Sequence, residues 1–552
     1  LNKKQIVKRE CGIKLDNYLT RITPFGFSGA ILVAEKEKVI LNEGYGMAIR
    51  EKGVPNTAET VFCTGSITKQ FTATAIMRLE MQDKLDTGDH ITEYFDNVPK
   101  DKGCITIHNL LTHTAGVIGN AGDDYEIVSR DETIRRVLGS PLLFSPGKRY
   151  EYSNAGYSLL GAIVEIVSAQ SYERFLNDQL FAPAKMSFTG YRIPDWSERV
   201  IADWYVREAN NRNSLVKPFP YWNLIGNGGI LSTSGDMYKW YLAMKSDAIL
   251  SSDAKKKLLT PFLEDYAYGW GVSETEYGTL ITHDGGNDLG ASANFKWFVD
   301  CDLILILFCN QSYGKATLAI QVRDKIVKIA FGKNVTVPPA VLDTVSFGLK
   351  KFEGTYRLPT GSHFIVSSEA GALKLAAKGQ DAIKIIFPPE QDKTLEYVDL
   401  NNRVIVLSKV VIKGDYSSLE NELEDKNTLD RKRRLVESML SQRELGSLKE
   451  IEVVGTFPFP RREDVLETVV QWKFTKENIA FGLCWRKGKL WGITAEPDRP
   501  EVLLRPVSEM AFAGYHLGLA RNAEISFDVD SEGFVKELTC KGNGGKVTAL
   551  KV

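Results

Sequence analysis

The segment Thr64-Gly65-Ser66-Ile67-Thr68-Lys69 sets a serine and a lysine three positions apart. Ile67, Phe71, Ala75, Ile76 and Leu79 recur at three- and four-residue spacing, which predicts a helix with one apolar face. Ser66 and Lys69 then share a face of that helix, one turn apart. A hydroxyl attacks a carbonyl only when a base takes its proton, and a lysine is that base only if burial lowers its pKa toward neutrality. The free N–H groups of a helix start favour negative charge near Ser66. A plainer reading fits the same residues: Ser66 caps the helix and Lys69 is solvated.

Two further segments bear on that choice. Tyr152-Ser153-Asn154 follows the turn Ser145-Pro146-Gly147 on a loop, and Tyr157, Leu160, Val164 and Val167 then take helical spacing. Thr282-His283-Asp284-Gly285-Gly286 places His-x-Gly at the end of a strand. Ser-x-x-Lys, Tyr-x-Asn and His-x-Gly, in that order, resemble the penicillin-recognising serine hydrolases: class C β-lactamases, serine D-aminopeptidases, D-Ala-D-Ala carboxypeptidases and family VIII esterases. Leu110 to Gly116, Gly228 to Met237 and Tyr268 to Gly271 are similar to that group too, so the resemblance spans roughly residues 25 to 332.

The resemblance implies a role for each residue. Ser66 would form an acyl-enzyme, with Lys69 and Tyr152 sharing general base and acid work in an order the sequence leaves open. Asn154 would bond Lys69 and the acyl-side amide of the substrate. The backbone N–H groups of Ser66 and Gly286 would form an oxyanion hole, with Gly285 and Gly286 permitting close approach. His283 departs from the Lys-Thr-Gly usual in β-lactamases. A histidine is mostly neutral at pH 7, so β-lactam binding should be poorer, unless His283 only packs at the strand end. Asp284 could bind a substrate ammonium if turned into the cleft, or stand solvated on the outer face of the strand. The expected activity is hydrolysis of amide or ester bonds in a small molecule or short peptide, without metal or other cofactor. A D-aminopeptidase-like peptidase or amidase comes first, because those relatives also carry C-terminal barrels. A carboxylesterase, a weak β-lactamase and, from another class, a non-catalytic peptidoglycan or ligand sensor are the alternatives.

The elements that must position these groups read as an α+β half, residues 1–335, and the resemblance implies a β-lactamase/transpeptidase-like antiparallel sheet there with helices on both faces. Phe27 to Ala48 predicts a hairpin, and Leu303 to Phe308 a buried strand followed by a helix near 316–330. After Pro338-Pro339 the pattern becomes short alternating strands, including Val404 to Leu407. We expect an antiparallel, lipocalin-like β-barrel there, as modules 340–415 and 447–552 joined by a charged helix or linker at 416–446. One barrel over 340–552 with an inserted helix is the alternative. Loops of these modules could enter the cleft or join copies of the chain; the Gly542 to Gly545 turn and the loop Arg461-Arg462-Glu463-Asp464 have suitable composition.

Composition excludes other classes. With 552 residues, two to four domains are expected at roughly 100–200 residues each. Lys and Arg number 69 against 70 Asp and Glu, so no overall field favours nucleic acid or an anionic membrane. The basic run Arg431-Lys432-Arg433-Arg434 has acids beside it and reads as a solvated face. No apolar run approaches the roughly 20 residues of a membrane span. Seven dispersed cysteines without a CxxC pair suggest a reducing, cytoplasmic setting, or an extracytoplasmic one if a leader preceded Leu1. His108 and His113 lack a metal-ligand pattern and read as structural, and the aromatic group Trp196, Trp204, Tyr205, Tyr221 and Trp222 reads as packing or a cleft wall.

Overall fold

The computed structural model describes residues 6–7, 9–206, 209–217, 219–312, 318–342, 348–369, 372–388, 394–441, 443–459, 464–494, 500–517 and 519–552. The chain divides into two compact units. Leu1–Leu19, Gly26–Ala319 and Ile329–Gly332 form the first, and Thr20–Phe25, Ile320–Lys328 and Lys333–Val552 the second.

In the first unit, seven strands among the described residues form one antiparallel sheet. In chain order they are β1 (Ile6–Val7), β2 (Gly29–Glu35), β3 (Lys38–Tyr45), β4 (Gly271–Thr275), β5 (Gly278–Gly286), β6 (Ser292–Phe298) and β7 (Leu303–Cys309). Their order across the sheet is β1-β3-β2-β7-β6-β5-β4. Lys36 and Glu37 join β2 to β3 with φ of 48° and 61°, the two-residue turn whose twist suits a hairpin. Every residue of β7 is buried, so both faces of the central strands are covered, which is why Leu303 to Phe308 is apolar without alternation.

Four helices carry or back the site residues: α1 (Thr68–Glu80), α2 (Ile107–Leu111), α3 (Asn154–Ser168) and α4 (Ser234–Lys245). The sequence predicts an amphipathic α1, yet Thr68 through Met77 and Leu79 are all buried. Polar groups on it bond within the protein: Thr72 Oγ1 donates to Gly226 O at 2.5 Å, and Gln70 Oε1 accepts from Trp240 Nε1 at 3.2 Å. A helix enclosed on all sides can hold a lysine away from water.

In the second unit, β8 (Gly354–Arg357), β9 (His363–Glu369) and β10 (Ala372–Lys378) precede α5 (Gln380–Ile386), α6 (Thr394–Val411), α7 (Ser417–Glu422) and α8 (Leu429–Ser441). A four-stranded antiparallel sheet follows, β11 (Leu448–Pro458), β12 (Val465–Phe474), β13 (Asn478–Arg486) and β14 (Lys489–Thr494). The unit ends with β15 (Glu501–Pro506), β16 (Ala511–His516), β17 (Arg521–Val529), β18 (Val535–Gly542) and β19 (Gly545–Lys551).

Strands β8 to β10 and β15 to β19 form a closed eight-stranded antiparallel barrel, with β10 paired to β15 across the intervening segment and β19 to β8. Closure leaves no free sheet edge. The barrel thus draws strands from both ends of 340–552, and the segment between them carries a sheet as well as helices. Val404 to Leu407, expected as a strand, lies inside α6. Leu400, Val404, Leu407 and Val411 are buried at helical spacing against Trp472, Phe481 and Leu483 while Val406 faces solvent, so a β-branched run had masked a period of 3.6.

The charged stretch forms α7 and α8, with Val436 buried and Arg433 paired to Asp430 at 3.0 Å. The Gly542 to Gly545 turn packs on α5, with Gly544 N donating to Ile385 O at 2.9 Å. Arg461, Arg462 and Glu463 lie outside the described residues. No helix of the described residues is long and apolar enough to cross a membrane.

Candidate active site

Ser66 sits in a single 3-10 turn, Gly65–Ile67, that leads directly into α1. Thr64 anchors the turn from behind, its N–H and Oγ1 both donating to Ile230 O at 2.8 and 2.9 Å. Strand β5 crosses in front of it. A Cβ on Gly285 would lie 2.0 Å from Thr64 O, and one on Gly65 would lie 2.2 Å from Gly286 N. Only glycine permits that approach, which sets the Gly286 N–H beside the Ser66 turn.

Lys69 is fully buried, and its Nζ lies 2.7 Å from Asn154 Oδ1, 2.7 Å from Asn227 O and 3.1 Å from Ser66 Oγ. Burial pushes its amine well below the ordinary lysine range, with the Asp124 carboxylate opposing. Asn154, the first residue of α3, also donates from Nδ2 to Asn120 Oδ1 at 2.8 Å, which fixes the orientation of its amide.

Tyr152 is half-buried against the His113 ring, with centroids 4.2 Å apart, and its own ring centroid lies 4.7 Å from Lys69 Nζ. Burial raises its phenol above the ordinary tyrosine range, and a hydrogen bond with Ser66 opposes the rise. His113, which follows α2, accepts the Ser153 N–H on Nδ1 at 3.1 Å. The residue read as structural therefore holds the Tyr-x-Asn loop in place.

His283 is buried, with its ring centroid 6.5 Å from that of Tyr152. Its Nδ1 lies 2.7 Å from Asp284 O, so Nδ1 carries the proton and Nε2 accepts from Tyr266 OH at 3.0 Å. Burial, then the field of Lys69, brings its pKa down to about 4. At neutral pH His283 is uncharged with both nitrogens engaged.

Asp284 alternates to the opposite face of β5, where Oδ1 accepts from Asn294 Nδ2 at 2.6 Å across the β5–β6 pair. The structure thus gathers Ser66, Lys69, Tyr152, Asn154, His283 and Gly286 and leaves the Asp284 side chain off the His283 face. Trp204, Tyr205, Tyr221 and Trp222 are buried as packing, and Tyr125, whose ring meets those of Trp204 and Tyr221, stands at the pocket instead.

Sequence reasoning missed Asp124, Tyr125 and Asn227. With Ser66, Asn154 and Leu224 they line a polar pocket of about 40 Å³ beside the serine. The only signal for Asn227 was its place in the glycine-rich Gly226 to Gly229 turn, and Asp124 had none.

The chain belongs to the Beta-lactamase family, whose sequence pattern matches residues 25–327, and members of this family are generally serine hydrolases. Two relatives come from Bacillus subtilis (strain 168). PbpX is 30% identical over 59% of this chain and 81% of its own length. Penicillin-binding protein 4* is 26% identical over 66% of this chain and 87% of its own. Among solved structures, the octameric penicillin-binding protein homologue from Pyrococcus abyssi covers 98% of this chain and 100% of its own at a TM-score of 0.53 and 19% identity, a likeness of fold.

Proposed function

We propose that the chain cleaves amide or ester bonds of small substrates through an acyl-enzyme on Ser66, acting as a D-aminopeptidase-like peptidase or amidase. The surroundings of Lys69 carry the reading. A neutral amine has two N–H groups and one lone pair. Asn154 Oδ1 and Asn227 O accept the two N–H groups, which leaves the lone pair directed at the Ser66 hydroxyl. Burial favours that neutral form, whereas Tyr152 with its raised pKa enters as a phenol, so Lys69 takes the serine proton.

Ser66 Oγ then bonds to the acyl carbon while the Ser66 and Gly286 N–H groups hold the oxyanion. The Lys69 proton passes by way of Tyr152 to the departing amine or alkoxide. Water, deprotonated by the same pair, releases the acyl group and regenerates Ser66. His283 supplies no positive charge for the carboxylate of a β-lactam, which favours peptidase or esterase chemistry over β-lactamase activity.

A fluorophosphonate probe should add to Ser66, as read by intact mass, with the adduct lost in Ser66→Ala. D- and L-alanine p-nitroanilides, p-nitrophenyl esters and a chromogenic cephalosporin then rank the substrates. An unlabelled, inactive protein that binds a cell-wall fragment stoichiometrically overturns the proposal in favour of a sensor.

A further inference from the structure

The pocket beside Ser66 has one acidic side chain in its wall, Asp124, and no basic one. Among the described residues no hydrogen bond or ion pair reaches the Asp124 carboxylate; the charges it feels are those of Lys69 and the acids Asp123 and Asp288. Lys69 gives it no counterion, since the Nζ group is taken up by Asn154, Asn227 and Ser66. A half-buried carboxylate without a partner costs free energy that an incoming cation recovers. Its carboxyl accordingly sits above the ordinary aspartate range, with burial the main cause and Asp288 the next. Tyr125 and Leu224 add apolar wall to the same pocket.

We infer that Asp124 is a specificity-determining residue that pairs with a protonated primary amine on the acyl side of the substrate, as in an N-terminal aminoacyl amide or ester. This rests on the proposed acyl-enzyme chemistry at Ser66. The placement favours an α-ammonium, two bonds from the reacting carbonyl, because the pocket is small and Asn154, Asn227 and Ser66 share its wall with Asp124. The amine nitrogen keeps its proton throughout, and the covalent step is unchanged. Asp284, the other carboxylate near the cleft in sequence, is engaged by Asn294 and does not compete for this role.

The test compares alanine p-nitroanilide, in both enantiomers, with isobutyric p-nitroanilide, which replaces the ammonium by a methyl of similar size. N-acetyl-lysine and N-acetyl-norleucine p-nitroanilides form a second pair, in which the amine sits on a side chain. The ratio of kcat/KM within each pair is measured near neutral pH for wild type and Asp124→Asn, so that any unfolded fraction cancels. The alanine-to-isobutyric ratio should fall about tenfold or more in Asp124→Asn, mainly through KM, while the lysine pair keeps its ratio. A ratio that stays within about twofold overturns the inference, as does a loss confined to the lysine pair. Intact-mass detection of a fluorophosphonate adduct on Ser66 separates the two levels. With the adduct present, failure belongs to the Asp124 assignment alone; without adduct or turnover, the acyl-enzyme reading falls and this inference with it.

Discussion

In the proposed mechanism, three neighbours and burial decide whether Lys69 is an inert ammonium or a base. Asn154 is neutral, and its Oδ1 lies 2.7 Å from Nζ. Asn154→Asp keeps the shape and brings a carboxylate to that distance, which stabilises the ammonium and raises the Lys69 pKa. Because the proposed mechanism uses the neutral amine, the acidic limb of the kcat/KM profile should move up by about one pH unit or more, with activity near neutrality down about tenfold. A limb that does not move would assign the base elsewhere. His283 contributes no second limb between pH 5 and 9, since its pKa is about 4. The serine and lysine were legible as a pair because they stand three residues apart where a 3-10 turn runs straight into α1, and local spacing alone brings them together. Asp124 was not, because its loop reaches the serine through long-range packing that no short motif encodes.

Between elements, the site depends on how closely β5 passes the turn that carries Ser66. Gly285→Ala would place a Cβ 2.0 Å from Thr64 O, a backbone atom that cannot swing aside, so the strand must lift and take the Gly286 N–H with it. Fluorophosphonate labelling of Ser66 should slow by about 10²-fold or more, the scale of losing an oxyanion donor, while thermal melting still shows a folded protein. Gly139→Ala, where a Cβ meets nothing within 4 Å, serves as the control, and equal labelling rates in the two variants would refute the role of the close approach. Elements with an unbroken local pattern were readable: the β2–β3 hairpin, the buried β7, and the helix that the Ser66 turn leads into. Two kinds of element were not. In α6 a run of β-branched residues imitated a strand until the burial of Leu400, Val404, Leu407 and Val411 exposed the helical period. The pairing of β10 with β15 joins Leu373 to Leu504, a partner set by closure of the barrel rather than by anything nearby in sequence.

For the whole molecule, the two units share a dependence on pH that their separate cores impose. His113 and His283 in the first unit and His516 in the second are all held neutral by burial, and Lys325 adds to the effect at His516. An unfolded chain returns each ring to a pKa near 6.5, so below that pH the unfolded state binds protons that the native state refuses. The stability that rests on these histidines is therefore complete above about pH 6.5 and declines as pH falls toward about 4, the folded value for His283 and His516. By pH 5 each of these two histidines costs on the order of 2 kcal/mol. Carboxylates with depressed pKa, such as Glu132 at about 2, give up their stabilisation only at more acidic pH, so the window itself identifies the cause. Urea unfolding at pH 7 and pH 5, followed by peptide-resolved hydrogen exchange, should show lower midpoints at pH 5 in both units. His516→Gln should flatten the dependence in the barrel peptides alone and His283→Gln in the β5 and β6 peptides alone, since each removes one titrating ring from one core. If the barrel of His516→Gln loses as much stability at pH 5 as wild type, the acid sensitivity of the second unit does not come from this histidine.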